Sequence, residues 1–218
     1  DIEPLIGGIL YSIELDLEQI QSKLLKTFEK IAIAKNEPMY LITFNLFNGI
    51  IFEKKANLED AKTSYIDVID QILNQKNEEF FGALSVPIHR LFCSTENNEI
   101  EKLIYLKNHL PIKEKASIGD KIVCLNIELI ELCSNATSIN EILTITNEIE
   151  EIQKTLDVGE LDFTESPSEA FYRAAVKLKG LGELEEAKRI AQLALNEVGE
   201  NSWRRKQNLE SLIKNDKI

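Results

Sequence analysis

Apolar residues at Leu184, Ala187, Ala191, Ala194 and Val198 carry a 3-4-3-4 spacing that returns along the chain at a nearly constant step. Forty-two residues earlier stand Ile142, Ile145, Ile149, Ile152 and Leu156, and another 42 gives Ile100, Leu103, Lys107, Leu110 and Glu114. A further 42 gives Leu58, Ala61, Tyr65, Val68 and Ile72, and a last step of 41 gives Leu17, Ile20, Leu24, Thr27 and Ile31. Positions three and four apart share one helical face, so each row is a stripe that must be buried against something. The third row breaks at Lys107 and Glu114, and Pro111 marks that helix as a shorter one. Recurrence at a fixed step implies stacked copies of one unit, each covering its stripe with its neighbours.

The rest of the chain fits helices. Five prolines and nine glycines in 218 residues punctuate it too rarely for a many-stranded fold. Helix starts are marked at Ser166-Pro167-Ser168-Glu169 by an N-cap serine, a first-turn proline and an acid, and at Ser138-Ile139-Asn140-Glu141 by a second capping box. Asn57-Leu58-Glu59-Asp60 places acids where the helix dipole favours them. These marks predict helices near 39–55, 58–75, 78–94, 97–109, 118–134, 138–156, 167–181, 183–197 and 201–215, with one or two more before residue 36. Pro87 falls inside one of them and predicts a kink beside His89-Arg90, which bends the stack or exposes the pair.

The helix preceding each stripe repeats less sharply. Ala175 is matched by Cys133, Leu91, Gly49 and Gly8, and Leu178 by Ala136, Ser94, Phe52 and Tyr11. Residues 168–201 resemble a tetratricopeptide repeat over its full length, at Phe171, Ala174, Ala175, Leu178, Gly182, Ala187 and Ala194. Residues 42–75 resemble it at Gly49, Phe52, Ala61 and Tyr65 but depart from it at Asn45; residues 1–34 match mainly at Gly8 and Tyr11. The step exceeds the usual 34 residues, as in divergent members of the family. Five such hairpins and a cap are similar in architecture to the peptide-sensing domains of bacterial transcription regulators.

The resemblance implies a single all-α domain, a right-handed superhelical solenoid of about five antiparallel helix hairpins. The hairpins would occupy about 1–36, 39–75, 77–110, 117–157 and 167–198, with a C-terminal capping helix at 201–215 opened by Trp203-Arg204-Arg205-Lys206. It also implies a concave groove lined by the first helix of each pair. By the family's pattern, the groove series are Ile6, Phe47, His89, Glu131, Arg173; Leu5, Leu46, Ile88, Ile130, Tyr172; and Ile9, Ile50, Phe92, Ser134, Val176. The candidate ligand residues are Leu46, Phe47, Ile50, His89, Ile130, Glu131, Tyr172 and Arg173. Arg173 would anchor a carboxylate through its planar fork, with Tyr172 beside it. The apolar residues of the first two hairpins also suit a groove covered by the chain itself. The carboxylate clamp that grips chaperone tails is not present, since Glu169 and Val176 stand at clamp positions.

Function classes narrow accordingly. A net charge of −12 argues against a nucleic-acid surface. No apolar run approaches the roughly 20 residues of a membrane span, and the acidic first residues do not read as a secretory signal. Asp1 in place of a start methionine suits a processed product or an excised domain. Cys93, Cys124 and Cys133 have no metal spacing and read as buried thiols of a reducing cytoplasm. Asn135-Ala136-Thr137 is a formal glycosylation acceptor.

His89 and His109 lie in no ligand pattern, and no nucleophile–base pair or phosphate loop stands out. The expectation is a non-enzymatic, cytoplasmic scaffold or sensor without cofactor or metal, binding a protein or peptide segment in its groove. The alternative is a structural subunit whose apolar faces form an obligate interface, homodimeric or with another chain. The acids of residues 147–165 read as a solvated face, or as a patch for a basic partner.

Overall fold

The computed structural model describes residues 2–15, 17–75, 83–112, 116–135, 138–156, 165–197 and 206–214. Among them are ten α-helices and one 3₁₀ helix, and no strand. They are α1 Glu3–Glu14, α2 Glu18–Lys35, α3 Pro38–Lys54, α4 Leu58–Asn74, α5 Ser85–Ser94, the 3₁₀ helix Asn97–His109, α6 Ile118–Ser134, α7 Ile139–Thr155, α8 Ser168–Gly180, α9 Leu184–Glu197 and α10 Lys206–Lys214. The expected openings at 78–82 and 201–205, the acids at 157–164 and the Ala136-Thr137 of the glycosylation pattern lie outside the described residues. None of the described helices is long and apolar enough to cross a membrane.

Packing runs between chain neighbours. Each helix from α1 to α6 rests on the next, α6 also meets α8, and α9 joins α8 to α10; the 3₁₀ helix lies on α5 and α6. One continuous apolar core threads through them. Phe28 of α2 wedges edge-on against α3, its ring centroid 6.4 Å from Tyr40 and 5.6 Å from Phe47; such pairs add about 0.5–1.5 kcal/mol beyond area burial. In α5, only Val86 and Arg90 escape full burial. A helix buried on all sides sits in the middle of its fold.

Local signals explain most ends. Ser117 caps α6 by accepting the Asp120 amide at 3.2 Å, and Ser166 accepts the Ser168 amide at 3.2 Å. Ser138 does start α7, but its side chain makes no cap hydrogen bond, so the second box does not form. Pro87 lies in the first turn of α5, where no amide would find a helical partner, and His89 beside it is buried. The expected kink exposing His89 is thereby replaced by an ordinary helix start. Ala56 after α3 and Gly182 after α8 both turn left-handed, at φ 57° and 89°. They stand three 42-residue steps apart.

Two of the five stripes differ from expectation, each for a geometric reason. In α2, Leu17 and Ile20 are exposed, whereas Gln21, Phe28 and Ala32 are buried. A step of 40 from Ala61, Val68 and Ile72 lands on those three. The cause is that α1 continues six residues past Gly8 while α3 continues five past Gly49, which rotates the following helix. The third stripe is a 3₁₀ helix of 13 residues. Its core-facing residues are Ile100, Leu103 and Leu106, the three-residue spacing that 3₁₀ geometry brings onto one side.

Gly49 sets how closely α3 meets α4. A Cβ there would lie 2.6 Å from Tyr65 Cε1, and at Gly8, one step earlier, 3.4 Å from Leu24 Cδ1. Gly49→Ala should lose about 1–3 kcal/mol through overpacking. Gly7→Ala, whose added carbon meets nothing within 4 Å, should gain about 0.5–1 kcal/mol of helix propensity. Urea midpoints of the two variants check both signs.

Candidate functional site: a cavity backed by a buried polar network

At the end of α5 the Thr95 amide bonds Phe92 O at 3.3 Å, and the carbonyls of Cys93 and Thr95 lie beyond the last helical amide. Arg173 of α8 reaches them: Nη2 donates to Thr95 O at 2.7 Å, to Cys93 O at 3.1 Å and to Phe92 O at 3.5 Å. Its Nη1 donates to Asn97 Oδ1 at 2.9 Å and its Nε to Glu169 Oε1, one turn earlier in α8, at 2.8 Å. A cation at a helix C-terminus is favoured by the dipole as well as by the hydrogen bonds. The side chain is 7% exposed. The fork expected to hold a partner's carboxylate instead holds Glu169 and the end of α5, because burial among bare carbonyls leaves it no better partners.

Around this clamp opens a cavity of about 310 Å³. Tyr172, Arg173, Val176 and Lys177 of α8 form one wall; Cys93 to Asn97, Cys133 and Leu58 form the others. Lys177 donates to Asn135 O at 2.7 Å across its rim, and the buried Ser94 Oγ has no hydrogen-bond partner among the described residues. Of the eight candidate residues, Tyr172 and Arg173 line this space.

The other six do not meet there. Phe47, Ile50, His89 and Ile130 are buried, Leu46 packs half-buried against the core, and Glu131 pairs with Lys107. Their row is where successive helices touch. Val86 and Arg90 on α5, Cys124 and Glu128 on α6, and Tyr172 on α8 are partly exposed, and Val176 on α8 is exposed.

Behind the cavity lies a network not expected from the sequence. Tyr65 Oη donates to Glu53 Oε2 at 2.5 Å, and Arg90 Nη1 reaches the same oxygen at 3.3 Å. Arg90 also donates through Nε, at 3.1 Å, to Glu165 Oε1, just before α8. The second oxygen of Glu165 lies 3.2 Å from His89 Nδ1. His89 Nε2 in turn lies 3.5 Å from Cys93 Sγ and 3.2 Å from Asn126 Nδ2. Carboxylate, imidazole and sulfur thus form one chain. The signal available was the pair His89-Arg90 inside an apolar helix and Glu53 inside another; their partners lie 75 and 76 residues away in sequence.

The charges shift one another. Burial disfavours charged His89, but the Cys93 sulfur and the Glu165 carboxylate outweigh it and raise the imidazole to about 10. Burial likewise disfavours ionised Glu165, and Arg90 and then His89 overcome it, lowering the carboxyl to about 2. Burial raises the Tyr65 hydroxyl above its ordinary range. Among the described residues no group of three or more His, Cys, Asp or Glu side chains could hold a metal ion.

Stability should follow these two shifts. The His89 contribution is complete below pH 6.5 and fades as pH rises toward about 10. The Glu165 contribution is complete above pH 4.5 and fades as pH falls toward about 2. The difference between wild type and Glu165→Gln in urea midpoint should therefore be largest between pH 4.5 and 6.5 and shrink on both sides. Arg173→Met, which strips the end of α5 and isolates Glu169, should cost about 3–5 kcal/mol, read from thermal or chemical denaturation.

Compared with family models, with curated proteins and with solved structures, the chain matches none.

Proposed function

We propose that the chain is a non-enzymatic, cytoplasmic scaffold or sensor, a right-handed superhelix of five tetratricopeptide-like hairpins that binds a peptide or protein segment. The observation that carries this reading is the cavity between α8 and the end of α5. It offers an aromatic face at Tyr172, an apolar step at Val176 and a cation at Lys177 beside the carbonyls and amides of the Ser94–Asn97 link. That mixture suits an extended segment whose side chains enter at intervals and whose main chain bonds the walls. Arg173 supports it by fixing the geometry of the wall. Nothing in this reading calls on a nucleic acid, a membrane or a cofactor.

The structural-subunit reading has one observation of its own. Leu10, Tyr11, Ile20 and Ile33 of the first two helices are exposed, Tyr11 by 62% and Ile33 by 65%. Exposed apolar residues on these helices suit contact with a further copy or chain.

A display library of short peptides panned on the folded protein separates the two. Peptides enriched on wild type should lose at least about fivefold affinity on Tyr172→Ala, as expected for an aromatic anchor. Equal binding by both proteins removes the cavity from the reading. A concentration-independent dimer that becomes monomeric in Tyr11→Glu moves the function to the subunit class.

A further inference from the structure

Cys93, His89 and Glu165 combine a thiol, an imidazole and a carboxylate in series, at 3.5 and 3.2 Å. His89 and Cys93 are four residues apart on α5, so one helical face presents both. Glu165 holds the far nitrogen, which fixes the ring and favours its charged form. Asn126 adds a second hint. Turned with Oδ1 toward Nε2, its amide accepts the imidazolium proton; Oδ1 otherwise has no partner among the described residues. We propose that Cys93 is a nucleophilic thiol, that His89 accepts its proton during attack, and that it reduces a small hydroperoxide reaching it through the cavity it lines.

The cavity supplies the space. Cys93 and Ser94 both line it, and Ser94 Oγ, buried in its wall, has no hydrogen-bond partner among the described residues. Cys93 itself is only 6% exposed, which excludes bulky electrophiles and leaves room for one with a few heavy atoms.

The step balances as follows. The Cys93 proton passes to His89 Nε2. The thiolate lone pair attacks the terminal oxygen of the hydroperoxide, and the S–O bond forms as the O–O bond breaks. Sulfur is oxidised to a sulfenic acid, the peroxide is reduced, and the displaced alkoxide leaves as the alcohol with the proton from Nε2. One equivalent is consumed per thiol, so the event is a modification and not a turnover. It stands independently of the peptide-binding reading.

The setting discriminates among the thiols. Arg90 and Glu165 flank the imidazole, Glu53 and Tyr65 lie beyond Arg90, and Arg173 bonds the Cys93 carbonyl. Cys133 lines the same cavity, but burial raises its thiol to about 12 against the pull of Lys177 and Arg173, so it stays protonated. Cys124 is half-buried near Pro111 O and serves as an internal reference.

The test treats the folded full chain with hydrogen peroxide and a sulfenic-acid trap from pH 5 to 8, scoring each cysteine by peptide mass spectrometry. Cys93 should be labelled at pH 6 at least about tenfold faster than Cys124, with a rate nearly flat from pH 6 to 8, as for a thiol paired with a cation. Glu165→Gln should lower the Cys93 rate at pH 6 by about tenfold and restore a steep rise with pH. No Cys93 adduct in the folded protein overturns the proposal. So does a Cys93 rate that climbs about tenfold per pH unit below pH 8, as for an ordinary thiol, or one unchanged by Glu165→Gln. Should that variant fail to fold, the wild-type pH profile alone decides.

Discussion

Burial of all of α5 except the partly exposed Val86 and Arg90 is the constraint on which the other arrangements depend. A helix with apolar neighbours on every side has no water to receive its polar groups, so each needs a partner within the protein. The C-terminal carbonyls are the largest such demand: Thr95 Oγ1 bonds Leu91 O, and Arg173 reaches from α8 with one nitrogen, Nη2, to the carbonyls of Phe92, Cys93 and Thr95. The same enclosure explains why Arg90 is matched by two carboxylates, and His89 by one. A buried ion pair of this kind is weak evidence for net stability, yet removing one partner from it is costly. The bonds also fix relative positions, since α3, α4, α5 and the start of α8 must all be in place for Glu53, Tyr65, Arg90 and Glu165 to meet.

Such a network ties together segments that the chain separates widely. Apolar packing between successive helices is local in sequence, because each rests on the next. The Arg90–Glu165 and Arg173–Asn97 bonds instead join α5 and the link after it to residues 75 and 76 positions further on, across the 3₁₀ helix, α6 and α7. They hold α8 against the end of α5, where the cavity opens. Local packing builds the layers, and long-range ionic bonds decide how two of them close around a space.

The sequence made the helices legible because their ends carry local signals: Pro167 and Glu169 at the start of α8, although the cap position is Pro167 and not Ser166, and a glycine at 182 in a left-handed turn after it. The stripes were legible where the residue count between the two helices of a unit is constant, as at Ala61, Tyr65, Val68 and Ile72. They failed in α2, where one additional residue beyond Gly8 shifts the phase, and at Lys107, where the periodicity itself changes. The candidate site was legible only in part. Tyr172 and Arg173 line the cavity, but the direction of the Arg173 fork follows from where the carbonyls of α5 end, which no spacing within α8 encodes. Glu165 was unreadable for a related reason: its role depends on a contact across 76 residues, and one acid among many in an acidic stretch carries no mark.

The 3₁₀ helix has a consequence for distance. It rises about 2.0 Å per residue against 1.5 Å in an α-helix. Thirteen residues in this form reach about 26 Å, whereas the seventeen of α4, α6 or α7 reach about 25 Å in the α form. A segment four residues shorter therefore crosses the same width of the molecule as its counterparts. Stretching the coil, and not lengthening the chain, gives the 3₁₀ helix the reach of the longer α-helices.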